Sequence, residues 1–235
     1  MATFVVAHGA WSAGWAWRKM HPLMAERGHR LVTPTMTGLG ERSHLSSPAI
    51  DLDTHIADIV NVLQYEEIER VILVGHSYGG MVATGVADRA RARIAKLIYI
   101  DAFAPRDGES AFDIMPAAAK AQRAAGAASG PDSWRIPPGQ MPPDTSPEDV
   151  AWCTPKRTPH PLKTFEQKIR LSGDFTGERH YIYCAGYTPD DRFRPFYERA
   201  QRDKWAGAYA IESTHNPHIT VPVVLADLLD KIAKR

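Results

Sequence analysis

Short apolar runs without polar alternation recur along the chain, at residues 4–7, 71–74, 97–100 and 181–184 and more weakly at 208–211. They are rich in β-branched and aromatic residues, which suits strands buried on both faces of a parallel sheet. Between them the period changes. Ile56, Ile59, Val60 and Leu63 form one helical stripe, and Met81, Val82 and Val86 share a face of a second helix. Val221, Val224, Leu225, Leu228, Leu229 and Ile232 form a third stripe at the end of the chain. Strands alternating with helices predict an α/β fold, with a mainly parallel sheet flanked by helices.

The rhythm breaks between about 105 and 170, where eleven prolines fall between Pro105 and Pro161 and "AAAKAQRAAGAA" offers one helix. A proline-dense linker is one reading. Phe112, Met115, Trp134, Met141, Trp152 and Phe165 supply more apolar bulk than a solvated linker needs. The expectation is therefore a core of residues 1–105 and 171–235, with residues 106–170 as a cap over the ligand end of the sheet. Phe112, Met115, Trp134 and Trp152 are the candidate walls of an apolar pocket beneath it, with plain packing the alternative for each.

Composition narrows the partners. A chain of 235 residues can bury a substantial interior without staples. Its two cysteines, Cys153 and Cys184, are too few for a disulfide framework or a cysteine-rich zinc site. Lys plus Arg is 28 against 27 for Asp plus Glu, so a net charge of +1 gives no field to attract nucleic acid or an anionic membrane. The start "MATFVVAHGAW" lacks the charged and apolar regions of an export signal, and no run is long enough for a membrane span. The expectation is a cytoplasmic protein acting on a small molecule, with its oligomeric state left open.

Chemistry concentrates in "VILVGHSYGGMVA", residues 71–83. A strand, then Gly75-His76-Ser77-Tyr78-Gly79, then a helix is the setting of a GxSxG nucleophile elbow, in which a strained serine stands clear of the sheet. The plainer alternative is a glycine-rich turn whose serine caps the helix. Such a serine needs a base. His215 and His218 lie in "IESTHNPHIT" after the last strand; His215 is favoured and His218 is expected to pack or cap. For the acid, Asp101 at the carboxyl end of "LIYID" and the Asp190/Asp191 pair in "GYTPDDRF" both qualify, and the strand-end position favours Asp101. The backbone N–H groups of Ala10, in the turn "AHGAW", and of Tyr78 are the candidate oxyanion donors, while His8 is expected to be a satisfied imidazole. "TGLGERS", residues 37–43, follows a possible strand but lacks the third glycine of a dinucleotide fingerprint, and nothing suggests a metal or a cofactor.

Together "HGAWSAGWAW", "GHSYGGMV", "YIDAFAPRDG" and "STHNPH" resemble the α/β-hydrolase superfamily, in its branch of plant methylesterases, hydroxynitrile lyases and bacterial EstC-type esterases. The resemblance spans almost the whole chain and is weakest in residues 106–170. It implies a cofactor-free Ser-His-Asp hydrolase acting on small esters, with carbamates in range, through an acyl-enzyme. It places the nucleophile on Ser77, the base on His215 and the oxyanion amides on Ala10 and Tyr78. The acid departs from the plant pattern, since no aspartate closely follows "YIYC"; Asp101 matches the position used in the haloalkane dehalogenase relatives. The lyases of this branch place a threonine and a lysine where this chain has Gly9 and Asn216, which favours hydrolysis over cyanide release. A hydroxynitrile lyase, or a receptor that retains the triad but signals by closing over a ligand, are the alternatives.

Overall fold

A computed structural model of the chain describes residues 1–130, 132–186 and 191–235. Six parallel strands form one sheet: β1 (Thr3–Ala7), β2 (Arg30–Val32), β3 (Val71–His76), β4 (Ile94–Ile100), β7 (Glu178–Cys184) and β8 (Gly207–Ile211), in the order β2-β1-β3-β4-β7-β8. A two-residue antiparallel ladder of β5 (Arg135–Ile136) and β6 (His160–Pro161) stands apart. The five apolar runs all fall within strands of the main sheet. The remaining strand, β2, is a three-residue edge, the possible strand ahead of "TGLGERS".

Both faces of the sheet are covered, and this is why the strands show no alternation. Val5, Ala7, Leu73 and Leu97 point to one face and join α2 (Leu52–Tyr65) and α3 (Gly79–Arg89). Phe4, Val6, Ile72, Val74, Ile98 and Ile100 point to the other, where α1 (Met20–Glu26) and α9 (Pro222–Ala233) pack. In α9 the buried residues are Leu225, Ala226, Leu229 and Ile232, whereas Val224, expected in the stripe, is 51% exposed. Leu225 and Leu229 with Ile232 already complete the inward face, so Val224 is carried round to solvent.

Between β4 and β7 run α4 (Ala117–Ser129), α5 (Pro147–Cys153) and the single turn α6 (Lys163–Glu166), together with the β5/β6 ladder. This insertion is no solvated linker: Phe112, Met115, Ile136 and Phe165 are buried in the same core as Tyr78, Met81 and Phe103. The remaining elements are α7 (Arg194–Arg202) and α8 (Pro217–Thr220). Among the described residues no helix is long and apolar enough to cross a membrane.

Candidate active site

The site grows from the turn between β3 and α3. Ser77 has a φ of 56°, in the left-handed region that a residue with a Cβ adopts at a cost of about 1–3 kcal/mol. Its carbonyl accepts from the N–H groups of Gly80 and Phe103, each at 3.1 Å, and its own N–H donates to Ile100 at 3.3 Å. The turn closes only without side chains at its flanks. A Cβ on Gly79 would run into the Ala7 carbonyl, and one on Gly75 would meet the Gly79 carbonyl at 2.8 Å. Tyr78 is anchored from its far end: its phenol meets His55 Nδ1 at 3.0 Å, and His55 Nε2 meets the Thr37 carbonyl at 3.0 Å. The carbonyl accepts from Nε2–H, so Nδ1 accepts from the phenol. A histidine in register with the apolar stripe of α2 was the only sequence sign of this anchor.

Ser77, His215 and Asp101 come together from the carboxyl ends of three different strands. His215 Nε2 lies 2.8 Å from Ser77 Oγ, and His215 Nδ1 lies 2.7 Å from Asp101 Oδ2. A carboxylate only accepts, so Nδ1 carries the proton and Nε2 is left as acceptor for the serine hydroxyl. Asp101 follows β4 with a φ of 42°, and its Oδ1 accepts from the Cys184 N–H at 3.3 Å. Burial pushes the Asp101 carboxyl above the usual range, against the hydrogen bond from His215, which pulls it down. The His215 ring lies flat on Phe193, 5.0 Å between centroids and 3° between planes. Its loop is braced from the insertion, where Asp144 accepts from the Thr214 N–H at 2.9 Å and from the Thr214 hydroxyl.

Three further imidazoles surround the triad in neutral form. His76 donates from Nε2 to the His215 carbonyl at 2.7 Å; burial, then His218 and His215, hold it well below the ordinary histidine range. His218 stacks on Trp17 at 4.5 Å, and burial lowers it to about 3. His8 is fully buried: Nδ1 donates to Gly9 O at 2.9 Å, Nε2 accepts from the Met36 N–H at 3.1 Å, and burial lowers it to about 4. None of the three reaches Ser77. The structure packs His218, as its sequence position suggested.

A cavity of about 530 Å³ opens over Ser77. Ala10 and Tyr78 line it beside the serine, and neither backbone N–H donates to an acceptor among the described residues. The pocket walls differ from those expected. Phe112 packs on Phe165, Met115 lies in the core, Trp134 carries Arg135 over its ring and Trp152 meets Trp15 edge to face; none of the four lines the cavity. Its walls are instead Trp11, Phe103, Ile136, Phe165 and Phe193, the proline-rich stretch 137–143, and the polar face of α4 with Gln122 and Arg123. The three expected aromatics and Met115 were drawn into the core or onto surface cations, leaving Phe165 and the backbone-rigid prolines to shape the insertion's side of the wall. Asp191 lines the cavity but accepts from the Tyr183 phenol at 2.6 Å and pairs with Arg194. Asp190 lies outside the described residues.

Comparison with known proteins agrees with this fold. A model of the alpha/beta hydrolase family matches residues 4–228. A carbendazim hydrolyzing esterase of Nocardioides sp. (strain SG-4G) is 39% identical over 206 residues, 83% of this chain and 85% of that protein. Methylesterase 2 of Arabidopsis thaliana is 32% identical over 113 residues, 43% of this chain and 40% of its own length. Among solved structures, a methylesterase from Arabidopsis superposes with a TM-score of 0.81 at 22% identity, covering 100% of this chain and 99% of the other. With a family match across nearly its whole length and a parallel sheet carrying a serine elbow, this chain belongs to the alpha/beta hydrolase family.

Proposed function

We propose that this chain, a carboxylic ester hydrolase, cleaves small esters through an acyl-enzyme formed on Ser77. In acylation, Ser77 Oγ attacks the ester carbonyl while His215 Nε2 takes its proton, and Asp101 holds the proton on Nδ1 and stabilises the imidazolium. The Ala10 and Tyr78 amides meet the oxyanion, donors of a kind worth on the order of 3 kcal/mol each. The imidazolium then protonates the departing alcohol. In deacylation His215 takes a proton from water, the resulting hydroxide attacks the acyl carbon, and the proton returns to Ser77 as the acid leaves.

The unbroken contact line from Asp101 through His215 to Ser77, at 2.7 and 2.8 Å in the floor of a cavity, carries this reading. The walls of Trp11, Phe103, Phe165 and Phe193 support a compact aromatic or alicyclic group as the preferred cargo. A carbamate in place of the ester draws support from the named activity of the Nocardioides relative. Cyanide release is disfavoured although a hydroxynitrile lyase of Arabidopsis thaliana is among the relatives, since Gly9 and Asn216 stand where the lyases of this branch carry a threonine and a lysine.

Hydrolysis of p-nitrophenyl acetate and cleavage of mandelonitrile, measured side by side with wild type and Ser77→Ala, test the proposal. Ester turnover that drops by roughly 10⁴–10⁶-fold in the variant is expected. Cyanide release without ester hydrolysis overturns it.

A further inference from the structure

Trp11 follows Ala10 in the turn over Ser77, and its indole N–H is fixed on the Ile136 carbonyl at 2.8 Å. Two guanidinium groups from the insertion lie over its ring. Arg123 on α4 lies 5.5 Å from the ring centroid and Arg157, beyond α5, lies 6.0 Å from it. Both line the cavity. Arg157 is half-buried, and its guanidinium donates to the Gly139 carbonyl. Among the described residues no carboxylate pairs with it. The acids among the described residues that line the cavity, Asp101 and Asp191, are committed elsewhere, to His215 and Cys184 and to Tyr183 and Arg194. The Arg157 guanidinium thus faces a pocket whose described acids already have partners. A planar fork of donors is the shape that recognises a carboxylate.

Resting on the esterase reading above, we propose that Arg157, with Arg123 beside it, forms an anion subsite for a carboxylate carried by the ester substrate. The substrate class is then the half-ester of a dicarboxylic acid or a close equivalent. The guanidinium pair orients the acid end while Ser77 attacks the ester end. The acyl group forms its bond to Ser77 Oγ as the bond to the alcohol breaks. Water then releases the free diacid.

Kinetics of p-nitrophenyl half-esters of succinate, glutarate and adipate, against p-nitrophenyl butanoate, pentanoate and hexanoate, test this after subtraction of the uncatalysed rates. At low salt, kcat/KM for one half-ester should exceed that of its neutral match by tenfold or more. Arg157→Gln should lower that value tenfold or more while moving the neutral esters less than threefold, and Arg157→Lys should keep an intermediate preference. Half-esters no better than their neutral matches in the wild type overturn the subsite and leave the esterase reading standing. An equal loss on both series in Arg157→Gln also overturns it, because Arg157 is then a brace for Trp11. Absence of turnover on every ester removes the esterase reading and this subsite together.

Discussion

Replacing Asp101 by Asn separates the chemistry of the carboxylate from its place in the fold. The Cys184 N–H donates to one side-chain oxygen of Asp101, and His215 Nδ1–H donates to the other. In the variant the amide oxygen is the group suited to face Cys184, which turns the NH₂ toward His215. Nδ1 must then accept, the imidazole proton moves to Nε2, and the ring offers Ser77 a donor where a base is required. A triad left in the wrong tautomer loses on the order of 10⁴ in kcat, or about 5.5 kcal/mol at 1.36 kcal/mol per decade. Stability should move the other way. Burial raises the Asp101 pKa in the folded state, so the ionised form weighs against folding at neutral pH, and that penalty disappears as pH falls below the carboxylate range. A neutral amide removes the penalty. Steady-state hydrolysis of p-nitrophenyl acetate and thermal unfolding at pH 7, on wild type, Asp101→Asn and Asp191→Asn, read both effects. The expected pattern is a collapse of kcat with an unchanged or higher Tm for Asp101→Asn, and a mild effect for Asp191→Asn. Turnover within tenfold of wild type for Asp101→Asn, or a larger loss for Asp191→Asn, refutes the assignment.

Asp144→Ala removes the brace on the Thr214 backbone, and kcat should fall about tenfold, or about 1.4 kcal/mol, with little change in Tm because Asp144 is exposed. A loss confined to KM, or to Tm, contradicts a positioning role. Acid should unfold the protein early. His8 and His55 are each held at about 4 and His218 at about 3 by burial, against 6.5 in the unfolded chain. The unfolded state therefore binds more protons, and stability falls as pH drops from 6.5 toward 4 by about 3 kcal/mol per histidine. Asp101 opposes this slope in part. Urea midpoints at pH 7 and pH 4.5 check the direction, and equal midpoints refute it.

Strands, elbow and base were legible because each rests on a local pattern. An apolar run reports a doubly covered strand, and glycines on both sides of Ser77 report a turn that excludes side chains. Asp101 was readable as a strand end, but not as a residue bent to a φ of 42° to face His215. The pocket was illegible for another reason. In the insertion the same residue types serve core and wall, and only the tertiary arrangement sends Phe165 to line the cavity while Phe112 stays behind it. Contacts across long stretches of chain, such as Asp144 with Thr214, leave no periodic trace.

The order of strands also bears on how the site will fail. Ser77 and Asp101 hang from β3 and β4, each clasped by a neighbouring strand on both sides, whereas His215 follows β8, which is bonded to β7 alone. The proton carrier is thus mounted on an edge of the sheet, and the two groups it serves are mounted on strands held from both sides. On gentle heating the enzyme should fall silent while most of its sheet is still intact, and it should recover on cooling.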